Sequence, residues 1–80
     1  MYGQVERAMV GERLLRELKT VLSEREFRVI CLRFGLKSGV PMPQREVAQL
    51  LKISRSYISR IEKKAIEKLR NHLKREDYYD

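Results

Sequence analysis

Eighty residues leave room for one small hydrophobic core and little beyond it, so a deep catalytic cleft is not expected. A hydrophobic fraction of 42% fits a folded domain and not a disordered tail, and a single cysteine, Cys31, excludes a disulfide framework and a cysteine-based metal cluster. Lys and Arg outnumber Asp and Glu by 18 to 11, a formal charge of +7 that favours a polyanionic partner, nucleic acid first, because released counterions drive such association.

Apolar residues recur at helical spacing almost throughout, with no sustained alternation of the kind strands require, so the expected fold class is all-α. Four helices separate. The first is predicted over residues 5–21, with Leu14, Leu15, Leu18 and Leu22 as its apolar stripe. Gly11 interrupts it, so residues 1–11 read as a linker or a frayed helix start, with Met9 as their contact. Ser23-Glu24-Arg25-Glu26 is a capping-box pattern that opens the second helix, and Glu24 and Glu26 suit the positive end of its dipole. That helix is predicted to reach residue 34, with Phe27, Ile30, Cys31 and Phe34 on one face, and Gly35 ends it.

Residues 35–43, with two Gly and two Pro, form the only clear loop. Pro43 suits the first position of a short third helix over residues 44–51, whose apolar residues are Val47, Ala48, Leu50 and Leu51. Lys52-Ile53-Ser54 is a three-residue turn in which Ser54 caps the last helix, residues 55–75. Its predicted buried stripe is Ile58, Ile61, Ala65, Leu69 and Leu73, with Ile66 flanking. The domain is expected over residues 12–76, followed by a flexible acidic tail at 77–80.

A short helix, a three-residue turn and a basic second helix make the helix-turn-helix plan. Residues 52–75 hold nine basic against two acidic residues, the whole net excess of the chain. Val47, Leu51 and Ile53 are expected to meet Ile58 and Ile61, with Ala48 small where the helices approach most closely. Arg55, Ser56, Tyr57, Ser59 and Arg60 are then left outside on the first two turns, which enter a major groove in this motif. Arg55 and Arg60 suit bidentate contact with guanine, and Ser56 and Ser59 are short enough for close approach. Lys63, Lys64 and Lys68 lie further along, placed for phosphates or a protein partner.

Leu22-Ser23-Glu24-Arg25-Glu26, Leu32-Arg33-Phe34-Gly35-Leu36, Gln44-Arg45-Glu46-Val47-Ala48 and the run from Ile53 to Ala65 occur in this order. Together they resemble conserved region 4 of sigma-70 family factors, the promoter-specificity subunits of bacterial RNA polymerase. The resemblance spans about residues 12–74, and the Ser54–Lys63 run is most like the mother-cell sporulation sigma factors. It implies a four-helix domain with a C-terminal helix-turn-helix and no wing, which recognises the −35 promoter element. Positions matching Arg55, Ser56, Tyr57 and Arg60 would face the groove, and those matching Ser54 and Ser59 would lie near the backbone. Housekeeping factors commonly have Glu, Arg and Gln where this chain has Ser56, Tyr57 and Arg60, so the resemblance implies a different −35 sequence. The family often has Thr where this chain has Pro43, which leaves Gln44 and Arg45 as the expected backbone contacts.

The first two helices resemble the part of region 4 that grips the flap of the polymerase beta subunit, with Leu32, Phe34 and Leu36 as the apolar contact. An anti-sigma factor or activator is a further partner the resemblance admits. A full factor is far longer, so the resemblance implies an isolated C-terminal domain, with Met1-Tyr2-Gly3 as its start or a linker remnant. A cytoplasmic monomer at the nucleoid is expected, without cofactor: there is no signal pattern and no membrane-length apolar run. His72 has no Cys or nearby His to share a metal, Cys31 has no neighbouring base, and no Ser sits in a Ser/His/Asp set, so an enzyme is not expected. Two other readings remain: a protein-interaction module with negligible DNA affinity alone, and the DNA-binding domain of a response-regulator-type transcription factor.

Overall fold

In the computed structural model the described residues are 11–75; the first turns expected at residues 5–10 and the acidic tail lie outside them. Helix α1 spans Glu12–Val21. It does not run through Gly11 as the periodicity suggested. Gly11 is extended, with φ −73° and ψ 161°, and its carbonyl accepts the first helical bond from Leu15 N at 3.2 Å. Glycine loses the most backbone entropy in a helix, so a start is a less costly place for it than an interior.

Helix α2 spans Glu24–Phe34 and opens on the expected capping box: Ser23 N donates to Glu26 Oε1 at 2.9 Å and Glu26 N to Ser23 Oγ at 3.2 Å. It closes at Gly35 with φ +65°, and Leu36 N donates back to Cys31 O at 3.0 Å. A Cβ on Gly35 would stand 2.6 Å from the Val40 carbonyl carbon, so both the turn and the path of the loop need glycine there. The loop folds back on the end of α2, where Met42 N donates to the carbonyls of Leu32 and Arg33 at 3.2 and 3.3 Å.

Helix α3 spans Gln44–Leu51. Pro43 sits one place earlier than expected, at the cap, with ψ 158°, and its carbonyl accepts from Glu46 N and Val47 N at 3.0 and 3.1 Å. Proline's fixed φ suits either position, but no side-chain cap comes with it. Lys52 then turns the chain in the left-handed region at φ +60°, where a non-glycine residue costs about 1 kcal/mol. Helix α4 spans Arg55–Arg75 and is capped by Ser54, whose Oγ accepts from Tyr57 N at 3.2 Å.

These four helices enclose two apolar clusters. Leu18, Leu22, Phe27, Ile30, Cys31 and Ala65 form one, between α1, α2 and the middle of α4. Val29, Val47, Ala48, Ile58 and Ile61 form the other, beneath the helix-turn-helix, with Leu32, Met42, Leu51 and Ile53 packed against it. The lock expected between Val47, Leu51, Ile53, Ile58 and Ile61 is therefore present, with the small side chain of Ala48 inside it. Val29 completes the cluster from a face of α2 that the single-stripe reading left out. Conversely, Leu14, Phe34 and Leu73, expected on apolar faces, are exposed, as are Leu50 and the flanking Ile66.

Ile58, Val29 and Val47 are the largest fully buried side chains. Ile58→Ala is expected to lower unfolding free energy by about 2–5 kcal/mol, whereas Leu50→Ala should change it by no more than about 0.5 kcal/mol. Urea denaturation followed by far-ultraviolet circular dichroism reads both.

Candidate nucleic-acid interface

The face that α4 presents follows from which side chains it buries. Ile58, Ile61 and Ala65 turn inward. At 3.6 residues per turn, Ser56, Ser59, Arg60 and Lys63 then point away from the core, with Arg55 on one flank and Tyr57 and Lys64 on the other. All seven are exposed, as are Ser54 and Arg45. Ser54 uses its oxygen to cap the helix and lies 3.4 Å from Ser56 Oγ. Either hydroxyl can be the donor in that contact.

Gln44 is placed differently. It is half-buried, and its Nε2 donates to Glu62 Oε1 at 2.9 Å, joining the start of α3 to the middle of α4. Arg33 Nε approaches the same carboxylate oxygen at 3.2 Å, off the line of a hydrogen bond, while its Nη1 donates to Met42 O at 3.3 Å. Glu62 is thus held inward by groups from α2 and α3, and leaves the outer face of the first two turns of α4 without a carboxylate.

Lys68 is also drawn inward. Its Nζ lies 2.8 Å from Glu26 Oε1, the same oxygen that caps α2, so Lys68, expected to serve phosphates or a protein partner, is engaged within the domain. Burial pushes the Glu26 carboxyl up, but the hydrogen bond from Lys68, the Ser23 amide and the Lys68 charge outweigh it, and the carboxyl stays below its ordinary value of 4.5.

Arg25 is the residue that the sequence reading missed. It sits exposed in the first turn of α2 and donates from Nη1 to Tyr57 OH at 3.4 Å, with its guanidinium 5.8 Å from the ring centroid. Beside this pair is a hollow of about 230 Å3 bounded by Ser23, Arg25, Tyr57, Arg60 and Lys64. Arg25 and Arg28 also line a shallow cleft of about 250 Å3 against Leu51 and Ile53 of the helix-turn-helix. The basic surface therefore continues from α4 onto α2, a junction between residues 32 positions apart that sequence periodicity does not reveal.

The family model described as Sigma-70, region 4 matches residues 20–71. The chain belongs to the sigma-70 region 4 family. It is 42% identical over 73 residues to an RNA polymerase sigma-E factor of Clostridium acetobutylicum, covering 91% of this chain and 31% of that protein. An RNA polymerase sigma-28 factor of Bacillus thuringiensis subsp. kurstaki is 51% identical over 55 residues, 69% of this chain and 23% of that protein. An RNA polymerase sigma-K factor of Bacillus subtilis is 53% identical over 49 residues, 61% of this chain and 17% of that protein. The chain spans less than a third of the length of these relatives.

Within this region 4 domain, the three residues expected to meet polymerase divide. Leu32 packs partly into the helix-turn-helix cluster and Leu36 partly into the other, while Phe34 is 45% exposed beneath the Arg33 guanidinium. A larger apolar surface lies elsewhere: a trough of about 340 Å3 between α1 and the end of α4, lined by Leu14, Leu18, Val21, Leu69 and Leu73 with Glu17 and His72. His72 Nε2 stands 3.2 Å from Glu17 Oε2 at its edge. Burial raises the Cys31 thiol against the pull of Lys37 and Lys19, as suits a core side chain. Among the described residues no cluster could hold a metal ion, and no helix is long and apolar enough to cross a membrane.

Glu26 ties acid stability to Lys68. Its folded carboxyl lies below 4.5, so its contribution is complete above that pH and is lost as pH falls through the lower folded value. Lys68→Ala should shrink that acid loss and cost roughly 1 kcal/mol near neutrality, and leave the salt slope of DNA binding unchanged. Lys63→Ala and Lys64→Ala should each reduce the slope by about 1. Denaturation across pH and anisotropy titrations across salt separate the two effects.

Proposed function

We propose that this region 4 domain reads the −35 promoter element with the outward face of α4 and docks on RNA polymerase to direct transcription initiation. The observation that carries the reading is the exposed set Arg55, Ser56, Ser59, Arg60 and Lys63 on a helix locked from behind by Ile58 and Ile61. Five exposed groups that are cationic or small, on the first turns of the second helix of the motif, suit a major groove and its phosphates. Arg55 and Arg60 are the base-reading arginines; Ser54, Arg45 and Lys64 serve the backbone, joined by Arg25. Gln44 contributes chiefly by fixing α3 against Glu62. The similarity to sigma-E and sigma-K factors supports the sporulation type as the nearest subgroup. The family match sets aside the response-regulator reading, and no catalytic role is assigned.

For polymerase, the beta-subunit flap is the proposed partner. The trough between α1 and α4 is its seat, with Phe34 as an outlying contact, since Leu32 and Leu36 already pack into the core. An apolar trough with a polar rim fits an amphipathic helix laid into it.

Fluorescence anisotropy with a −35 duplex and a scrambled duplex, at several salt concentrations, tests the first half. The −35 duplex should bind more tightly, and Arg55→Ala and Arg60→Ala should each cost about 1–3 kcal/mol, concentrated at one base position. Equal binding of both duplexes at every salt would leave only the interaction-module reading. For the second half, purified beta flap should retain the wild-type chain, and Leu73→Glu should abolish retention while Leu50→Glu does not. Retention of both variants alike would move the docking surface away from the trough.

A further inference from the structure

The contact between Arg25 and Tyr57 has a chemical direction. A guanidinium carries only donors, so the Tyr57 oxygen accepts in the 3.4 Å contact with Arg25 Nη1, and the hydroxyl proton is left to point elsewhere. No side chain among the described residues accepts that proton. The hollow beside the ring is bounded by the cations Arg25, Arg60 and Lys64, by Ser23 and Ile61, and by Glu26, whose Oε1 accepts from Ser23 N and Lys68 Nζ. Among the described residues the Tyr57 hydroxyl has no other hydrogen-bond partner. Tyr57 is 42% exposed on the first turn of α4, with the guanidinium 5.8 Å from its ring centroid.

We infer that Arg25 is a positioning residue that fixes the Tyr57 hydroxyl as a hydrogen-bond donor toward DNA, making Tyr57 a specificity-determining residue that disfavours cytosine at one base position. The inference rests on the promoter-reading role proposed above. In the major groove, thymine offers the O4 acceptor and a methyl group, guanine offers N7 and O6, and adenine offers N7. Cytosine offers only its amino donor. A tyrosine hydroxyl free to turn could accept from that amino group; one whose oxygen already receives Arg25 meets it donor to donor. Thymine is the best match, since the ring can also lie against its methyl group. A phosphate role for Arg25 alone would weaken all sequences equally, whereas the positioning role acts at the base that Tyr57 meets.

The test uses the whole 80-residue chain and short duplexes carrying its preferred site, selected from a randomised pool, with every single base-pair change. Wild type should disfavour cytosine about tenfold at one position, and Tyr57→Phe should reduce that penalty to about twofold there and leave the other positions unchanged. Arg25→Ala should remove the penalty at that same position, with or without a uniform loss of affinity. In the Tyr57→Phe background it should add only the uniform part. Arg25→Ala that weakens every duplex alike with the cytosine penalty intact would overturn the inference, as would Tyr57→Phe that moves no position. Both outcomes leave promoter reading standing. A wild-type chain that selects no sequence from the pool would take promoter reading down with the inference. Circular dichroism of each variant confirms that these exposed substitutions keep the helical fold.

Discussion

The meeting of Val29, Val47 and Ile58 fixes almost everything else. Each comes from a different helix, α2, α3 and α4, and each is fully buried. Once Ile58 is inside, helical geometry leaves no choice about which residues are outside: Ser56, Ser59, Arg60 and Lys63 must face away. The same contact sets how steeply α4 crosses α3, and therefore how far its first turns project. A helix-turn-helix without such a third wall would have only its short α3 to lean on; here α2 supplies the wall through Val29, with Leu32 beside it.

Charge is arranged around that contact with equal consequence. The chain carries its whole net excess between residues 52 and 75, yet those cations do not act alike. Glu62 turns inward to Gln44 and Arg33, and Glu26 holds Lys68 while it caps α2. Those two carboxylates are thereby kept behind the outer face of the first two turns of α4, and Arg55, Arg60, Lys63 and Lys64 are left to add their fields in front of it. Glu26 and Glu62 also bridge helices distant in sequence, so the groups that hold the fold together are the ones that keep the outer face positive.

Helix types, caps and the turn were legible in the sequence because each depends on residues a few positions apart: Ser23 with Glu26, Gly35 after Phe34, Ser54 with Tyr57. What was hidden has a common physical cause. Periodicity finds one apolar face per helix, but α2 lies between two clusters and buries Val29 on a second face. Periodicity also cannot say whether a face has a neighbour, which is why Leu14 and Leu73 are expected inside and stand outside. Arg25 with Tyr57, Lys68 with Glu26 and Gln44 with Glu62 are joined across 32, 42 and 18 residues, and only the packed helices bring them together.

Placing both proposed surfaces on α4 has a mechanical consequence. Arg55 to Arg60 belong to its first turns, and Leu69 and Leu73 of the trough to its last. Twenty-one residues make a rod of about 30 Å, at about 1.5 Å per residue. A partner seated in the trough would therefore hold the first turns of α4 at a fixed distance and rotation, with no hinge between them. Each surface alone is small, and a small wet interface on DNA binds weakly. Joined by a rigid helix, the second contact becomes intramolecular once the first has formed, and weak sequence preference at the groove is converted into placement of the larger partner. A flexible link would lose most of that gain, so the continuous helix from Arg55 to Arg75 is as much a part of the proposed promoter reading as the side chains at its start.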